Sequence, residues 1–270
     1  MLTKLQKIQN NENIPLTNKK LPLSILSLNK KPEISIVLPA YNEADTIRSI
    51  VINYFDEIAT KLPSKLVVAE DGSDDQTPSI LSSLAKEIPI SVVSDPRRKG
   101  YAKGVADALK NCKTEWIFFS DSDGQYLSTD FWKLWENRHN CDMIIGRKLR
   151  RSEGIHRTIL SKGFHKIFNL LFRLKLNDAD CGFRLIRKDI IQSVVNDAKT
   201  LKYSFWAEFT IRASLKGFQI REVPINHVSR ENGSTRIYAL PKIPMIVLKQ
   251  LRGLTRLYFD LRKSPSLKVF

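Results

Sequence analysis

Short, nearly all-apolar runs that alternate with amphipathic helical patterns constrain this chain more than any other feature. Ile34–Leu38, Lys65–Ala69, Ile90–Val93 and Trp116–Phe119 read as strands. A helical pattern follows each. The first runs through about Ala59, with Ile47, Ile50, Val51, Tyr54, Phe55 and Ile58 on its apolar side. The next two run through Lys86 and Lys110, and the fourth covers Phe131–Arg138. Such alternation predicts an α/β fold with a mostly parallel central sheet and helices on both faces. Strands buried on both faces need no in–out alternation, and these show none. Further on, Asp142–Ile145 reads as a strand, residues 148–158 as a loop dense in Arg and Lys, and Thr158–Leu174 as a helix. Asp178–Ile186 returns to the sheet, Tyr203–Leu215 is helical, and Phe218–Ile225 is a late strand whose Pro224 suggests a sheet edge or strand end.

The fourth strand runs into Ser120-Asp-Ser-Asp-Gly-Gln125. In open α/β sheets, ligands bind beyond the carboxyl ends of the strands. Asp121, Asp123 and Gln125 stand there at alternate positions, so two carboxylates and an amide oxygen can converge on one hard cation. Mg²⁺ and Mn²⁺ take such ligands, and Mg²⁺ usually keeps part of its shell for substrate phosphates. An acidic turn whose aspartates cap the next helix would carry the same residues.

The 270 residues allow one large domain with appendages. A formal charge of +16, from 44 basic and 28 acidic residues, favours polyanionic partners: nucleic acid, nucleotide phosphates or an anionic membrane face. Cys112, Cys141 and Cys181 have no zinc spacing and, being odd in number and widely spaced, argue against a disulfide framework, which suits a reducing cytoplasm. Leu21–Leu28 is too short and broken for a secretory signal. No stretch approaches the roughly 18–20 apolar residues of a membrane span. Residues 1–32 read as a tail or loosely packed arm. In Leu240–Lys263, Ile243, Val247, Leu251, Leu254, Tyr258 and Leu261 recur at helical spacing among Lys249, Arg252, Arg256, Arg262 and Lys263. That pattern fits a helix lying on an anionic membrane, or one packed on the sheet with a solvated basic face.

Four motifs stand in order: Ile36-Val-Leu-Pro-Ala-Tyr-Asn-Glu43, Val68-Ala-Glu-Asp-Gly-Ser-Asp-Asp-Gln-Thr77, Lys99-Gly-Tyr-Ala-Lys-Gly104 and Asp121-Ser-Asp-Gly-Gln125. Together they resemble the family 2 glycosyltransferases, which have the GT-A nucleotide-diphospho-sugar transferase fold. The resemblance covers about residues 33–236 and leaves 237–270 as a basic amphipathic helical segment. Gly146-Arg147, Asp180-Cys-Gly-Phe-Arg184, Glu222-Val-Pro-Ile225 and Arg230-Glu-Asn-Gly-Ser-Thr-Arg236 resemble the branch that makes polyprenyl-phosphate sugars, such as the dolichyl-phosphate mannose synthases.

The resemblance implies an inverting, metal-dependent transfer of a hexose from a nucleotide sugar, of GDP-mannose or UDP-glucose type, to polyprenyl or dolichyl phosphate. Asp123 and Gln125 would ligate Mg²⁺ or Mn²⁺ directly, and Asp121 would hold the ribose or a metal-bound water. Pro39, Ala40, Tyr41 and Glu43 would cradle the nucleotide base. Asp71 would hydrogen-bond base or ribose, with Glu70 standing where the family usually has its first aspartate. Gly100 and Gly104 would let the loop approach the nucleotide, and Lys99 would add positive charge. Arg147, Arg157 and Ser161 match the family's acceptor-phosphate residues, with Arg184, Arg230 and Arg236 as second candidates.

A lipid phosphate is already anionic, so its attack needs cationic positioning rather than a base. A hydroxyl acceptor would want a carboxylate base, for which Glu208 and Asp180 are the candidates. The family's processive Gln-x-x-Arg-Trp motif is absent. His139, His156, His165 and His227 form no metal spacing; His156, in the acceptor loop, could touch a phosphate. Expected partners are the donor, the lipid phosphate, the cytoplasmic membrane face and a membrane-anchored subunit. A nucleic-acid-binding protein is the rival suggested by charge, but no such motif is present. A nucleotidyltransferase would want a glycine-rich phosphate loop at the first strand, and Pro39-Ala-Tyr-Asn-Glu43 is not one.

Overall fold

The computed structural model describes residues 31–149, 163, 166–201, 203–228 and 243–263. Seven strands form one sheet: β1 (Ile34–Ala40), β2 (Ser64–Glu70), β3 (Ile90–Ser94), β4 (Trp116–Ser120), β5 (Met143–Lys148), β6 (Phe183–Arg187) and β7 (Ile220–Ile225). Helices α1 (Ile47–Tyr54), α2 (Thr77–Glu87) and α3 (Tyr101–Asn111) connect the first four strands. After them come α4 (Phe131–Glu136), α5 (166–172), α6 (Lys188–Val194), α7 (Phe205–Leu215) and α8 (Ile243–Arg262). The expected first helix ends early, and its last turn, Phe55–Ala59, widens into a π-helix.

The sheet order is β3-β2-β1-β4-β6-β5-β7. Every pairing is parallel except the two made by β6, which runs antiparallel to both β4 and β5. The strands are as apolar as two-sided burial requires. Ile34, Ile36, Val37 and Leu38 are fully buried, and each such side chain contributes about 1.5–3 kcal/mol relative to exposure. Phe118 anchors the centre, edge-on to Phe131 and Phe183, each at 4.9 Å between ring centroids. β3 and β7 are the sheet edges, which explains why β3 is only partly buried and why Pro224 is tolerated in β7.

Two consequences of this topology position the site. The chain leaves β1 for β2 and β3 on one side, then crosses back to β4 on the other. The carboxyl ends of β1 and β4 therefore flank a topological switch point. Moreover, β6 is reversed relative to both neighbours, so β5 and β7 point the same way as β4. The same sheet edge thus carries the turn after β2, the Asp121–Gln125 turn, the end of β5 at Arg147 and Lys148, the Asp180–Gly182 approach to β6, and the chain leaving β7.

Helix α8 packs by one face. Leu254, Leu257 and Leu261 join Phe168, Phe172, Ala179, Leu201, Ala207 and Ile211 in a second apolar cluster. Gly253 lets the helix approach closely, since a Cβ there would meet the Leu201 side chain at 2.9 Å. Gln250 Nε2 donates to Ser204 Oγ at 2.5 Å. The rest of α8 exposes Met245, Leu248, Leu251 and Phe259 among Lys249, Arg252 and Arg256. Among the described residues, no helix is long and apolar enough to cross a membrane.

Candidate active site

The turns after β1 and β2 are laced together. Asn42, at φ 53°, donates its backbone N–H to Ser73 Oγ, and its side-chain amide donates to the Asp74 carboxylate and accepts from Asp74 N. Glu43 N donates to Thr77 Oγ1 at 2.9 Å, and the Glu43 carboxylate accepts from Thr46 at 3.3 Å. Asp75 accepts from the backbone of Ala44, in the turn before α1, and of Thr77, the first residue of α2, satisfying an otherwise unpaired donor there. This lacing fixes Pro39, Ala40 and Tyr41 at the rim, where the Arg98 guanidinium lies 3.9 Å over the Tyr41 ring.

Glu70 and Asp71 turn toward the protein. Glu70 is buried and accepts from Ser73 N at 2.5 Å and from the Ser94 hydroxyl at 2.6 Å. Asp71 accepts from Lys99 N at 2.8 Å with one oxygen and from Gly100 N at 2.9 Å with the other. It thereby tethers the basic loop to β2. Gly100 needs glycine for its φ of +86°, although an added Cβ would meet nothing. Gly104 lies at ordinary contact distance from Asp71. The Lys99 ammonium is paired with Asp95 at 2.5 Å and Asp107 at 3.0 Å.

Beyond β4 the chain turns on fixed contacts. Ser122 Oγ donates to the Pro39 carbonyl, and Asp121 N donates to Gly182 O at 3.0 Å. One Asp121 oxygen accepts from the Tyr101 hydroxyl at 2.6 Å. The other faces Gly182, where an added Cβ would sit 1.9 Å from it. Only glycine leaves room for this carboxylate. Gly182→Ala should therefore destabilise the protein by about 1–3 kcal/mol through overpacking, read as a lower urea midpoint. An unchanged midpoint would mean that Asp121 swings aside freely.

The electrostatics are those of crowded acids. Burial, and after it the charge of Asp123, push the Asp121 carboxyl up to about 7, against the Tyr101 hydrogen bond and the Lys148 charge. Burial pushes Asp180 up to about 6, while hydrogen bonds from Ala207 N–H and Ser204 and the charges of Arg184 and Lys148 hold it down. Asp123 accepts from Gln125 N at 3.2 Å, and Gln125 Nε2 donates to Val228 O at 3.2 Å. The amide nitrogen makes that contact; the oxygen is the atom a cation would use.

Among the described residues, no three His, Cys, Asp or Glu side chains form a metal cage. A cation here would therefore draw on Asp123, Gln125 and the Asp121 side, completing its shell with water or substrate oxygens. An all-oxygen, over-acidic donor set of this kind fits Mg²⁺ or Mn²⁺.

Two sequence candidates are corrected. Arg184 is fully buried and cannot meet a phosphate. Its guanidinium donates to the Cys181 and Ala179 carbonyls and to Thr210 Oγ1, and it lies 4.1 Å over the Trp206 ring. Glu208 is fully buried and cannot serve as a base. It accepts from Thr200 N and Leu201 N and pairs with Arg212 at 2.8 Å. Arg147 is exposed at the end of β5, on the site edge. Arg157, Ser161, His156, His165, Arg230 and Arg236 lie outside the described residues. Nothing in the sequence marks Lys148, Tyr101 or Trp206 as site residues, although Tyr101 lies inside the Lys99–Gly104 motif.

A sequence model described as glycosyl transferase family 2 matches residues 35–195, more than half of the chain. Glycosyltransferase AglD of Haloferax volcanii is 28% identical over 72% of this chain, which spans only 33% of that relative's length. A dolichyl-phosphate beta-glucosyltransferase of Trichomonas vaginalis is 23% identical over 87% of this chain and 78% of its own. Among solved structures, glucosyl-3-phosphoglycerate synthase from Mycobacterium tuberculosis, in complex with Mn²⁺, UDP and glucosyl-3-phosphoglycerate, aligns with a TM-score of 0.63. It is 16% identical, and the match covers 88% of this chain and 83% of that one. The shared architecture is the GT-A fold.

Proposed function

This chain belongs to glycosyl transferase family 2, and from that premise we propose that it moves a hexose from a nucleotide sugar to a polyprenyl phosphate by one in-line, inverting displacement. The Asp121–Asp123 pair at the switch point carries the reading: two carboxylates in one turn beyond β4, the first held up to about 7 by burial and then by the charge of the second, form a ready seat for a divalent cation. When bound, that cation would stabilise the negative charge that builds on the departing diphosphate. Asp123 and Gln125 would hold it directly, and Asp121 would position the ribose or a metal-bound water. Pro39, Ala40, Tyr41 and Glu43 would line the base site. Asp71 would act through the loop it tethers, presenting Lys99, Gly100 and Gly104 to the nucleotide.

The acceptor reading is supported by the dolichyl-phosphate relatives and by the sealing of Glu208, which removes one of two bases a hydroxyl acceptor could use. Their names favour glucose over mannose as the sugar and, with it, a UDP-glucose type donor. Arg147 would meet the acceptor phosphate, as would Arg157 and Ser161 from the chain following β5. The exposed apolar and basic side of α8 would rest on an anionic membrane surface at the cytoplasmic face.

The test is sugar transfer from labelled UDP-glucose and GDP-mannose to detergent-dispersed polyprenyl phosphate, with Mn²⁺, Mg²⁺ or EDTA. The expected outcome is a lipid-extractable product that EDTA abolishes. Metal-dependent turnover with only water-soluble product would overturn the acceptor and leave Asp180 as the base for a hydroxyl. In the same assay Arg147→Ala should raise the acceptor KM roughly tenfold or more, the scale of one lost charge-assisted hydrogen bond. Donor affinity should not change; if it falls instead, Arg147 belongs to the donor site.

A further inference from the structure

Asp121 is not held by its own turn alone. The Trp206 indole Nε1–H donates to the Tyr101 hydroxyl at 2.9 Å, and that hydroxyl donates to the Asp121 carboxylate at 2.6 Å. The hydrogen-bond chain joins three segments: α7 supplies Trp206, Tyr101 is the first residue of α3, and the turn directly after β4 supplies Asp121.

Each link is locked from behind. Trp206 is buried, with the Phe119 ring centroid at 4.6 Å and the Arg184 guanidinium 4.1 Å over its ring. Tyr101 directly follows Gly100, whose N–H, with that of Lys99, is bound by Asp71. About 44% of Tyr101 is exposed, yet its hydroxyl is the part turned inward. A phenol that accepts from one partner can give its single proton to only one other, so the indole fixes which way the phenol donates.

We infer that Trp206 and Tyr101 form a positioning relay that fixes the Asp121 carboxylate in the donor and metal site. The inference rests on the site reading above, because Asp121 matters only if that site binds metal and nucleotide. In this relay Tyr101 and Trp206 are positioning residues: the Tyr101 hydroxyl holds Asp121, and Trp206 acts through that hydroxyl. The relay also joins the basic loop to the acidic turn, so movement of either is felt by the other.

Two readouts test this on the full chain. The first is the indole N–H region of the ¹⁵N–¹H correlation spectrum. Four tryptophans give four signals, and Trp206 is assigned by its loss in Trp206→Phe. Tyr101→Phe and Asp121→Asn should each shift the Trp206 signal, and Tyr101→Phe should speed its exchange with solvent. A signal unmoved by Asp121→Asn overturns the relay.

The second readout is Mn²⁺ binding to the nucleotide-free protein, by electron paramagnetic resonance of free Mn²⁺, with thermal melting to verify folding. Tyr101→Phe keeps the ring and should weaken Mn²⁺ binding about tenfold, and Trp206→Phe about threefold. The double variant should match Tyr101→Phe alone, because residues acting through one contact are not additive. Additive losses, or Tyr101→Phe binding like wild type, overturn the relay. If wild type binds no Mn²⁺ while the indole signal moves as expected, the relay stands and the metal reading falls.

Discussion

Asp123→Ala is expected to abolish sugar transfer while leaving the fold intact. Asp123 stands in the turn after β4, partly exposed, beside a strand whose own five residues are all buried. In the proposed site, its removal would take away one of the two carboxylates that, with the Gln125 amide, would hold the cation. Loss of one preorganised electrostatic contact to a developing charge lowers kcat by about 10²–10³, and loss of the metal should exceed that. Stability should move the other way. The Asp123 charge helps push Asp121 from 3.8 to about 7. A carboxyl raised in the folded state binds more protons folded than unfolded, so its contribution to stability falls as pH rises from about 4 to about 7. Removing Asp123 relieves part of that loss. The metal-free variant should therefore melt at or above the wild-type temperature at pH 8, with the two curves converging toward pH 4. Retained transfer would sink the metal assignment; a lower melting point at pH 8 would show that Asp123 serves the fold.

The sequence displayed the central strands because burial on both faces leaves a compositional mark, and each of the seven overlaps a stretch that reads as a strand, although β6 takes up only the Phe183–Ile186 part of Asp178–Ile186 and runs on to Arg187. Direction was harder. Asp178–Ile186 reads as a returning strand, but nothing in Phe183-Arg-Leu-Ile says that it enters antiparallel between β4 and β5. That reversal brings Gly182 against Asp121, a contact between residues 61 positions apart in the chain that no local pattern encodes. The acidic turn and the glycine loop were visible as chemistry. What they bind within the protein was not: Glu70 and Asp71 use their oxygens on Ser73, Ser94, Lys99 and Gly100. Tyr101 and Trp206 look, as letters, like ordinary aromatic residues on helices. Their roles come from polar atoms meeting across α3, α7 and β4, which only the packing discloses.

Arg184→Ala is expected to cost about 3–5 kcal/mol of stability, the scale of emptying a large buried side chain's site while leaving two buried carbonyls without their donors. Arg184 stands opposite Phe119 in β4 and Ile145 in β5, in a strand that is buried on both faces. A charged side chain persists there only with every donor met. Its Nε and one terminal nitrogen serve the Cys181 carbonyl, that nitrogen also reaches Ala179 O, and the other terminal nitrogen reaches Thr210 Oγ1 at 3.2 Å. The guanidinium thus ties down the two carbonyls on either side of Asp180. It also braces the approach to Gly182 and, through Trp206, the relay to Asp121. Arg184→Lys should recover little, since an ammonium cannot reproduce the planar fork. Urea unfolding of the two variants beside acceptor kinetics separates the roles. A large fall in midpoint, with any activity loss in kcat, is the expected result. A raised KM for lipid phosphate at unchanged stability would instead make Arg184 an acceptor residue, which its burial and its carbonyl contacts oppose.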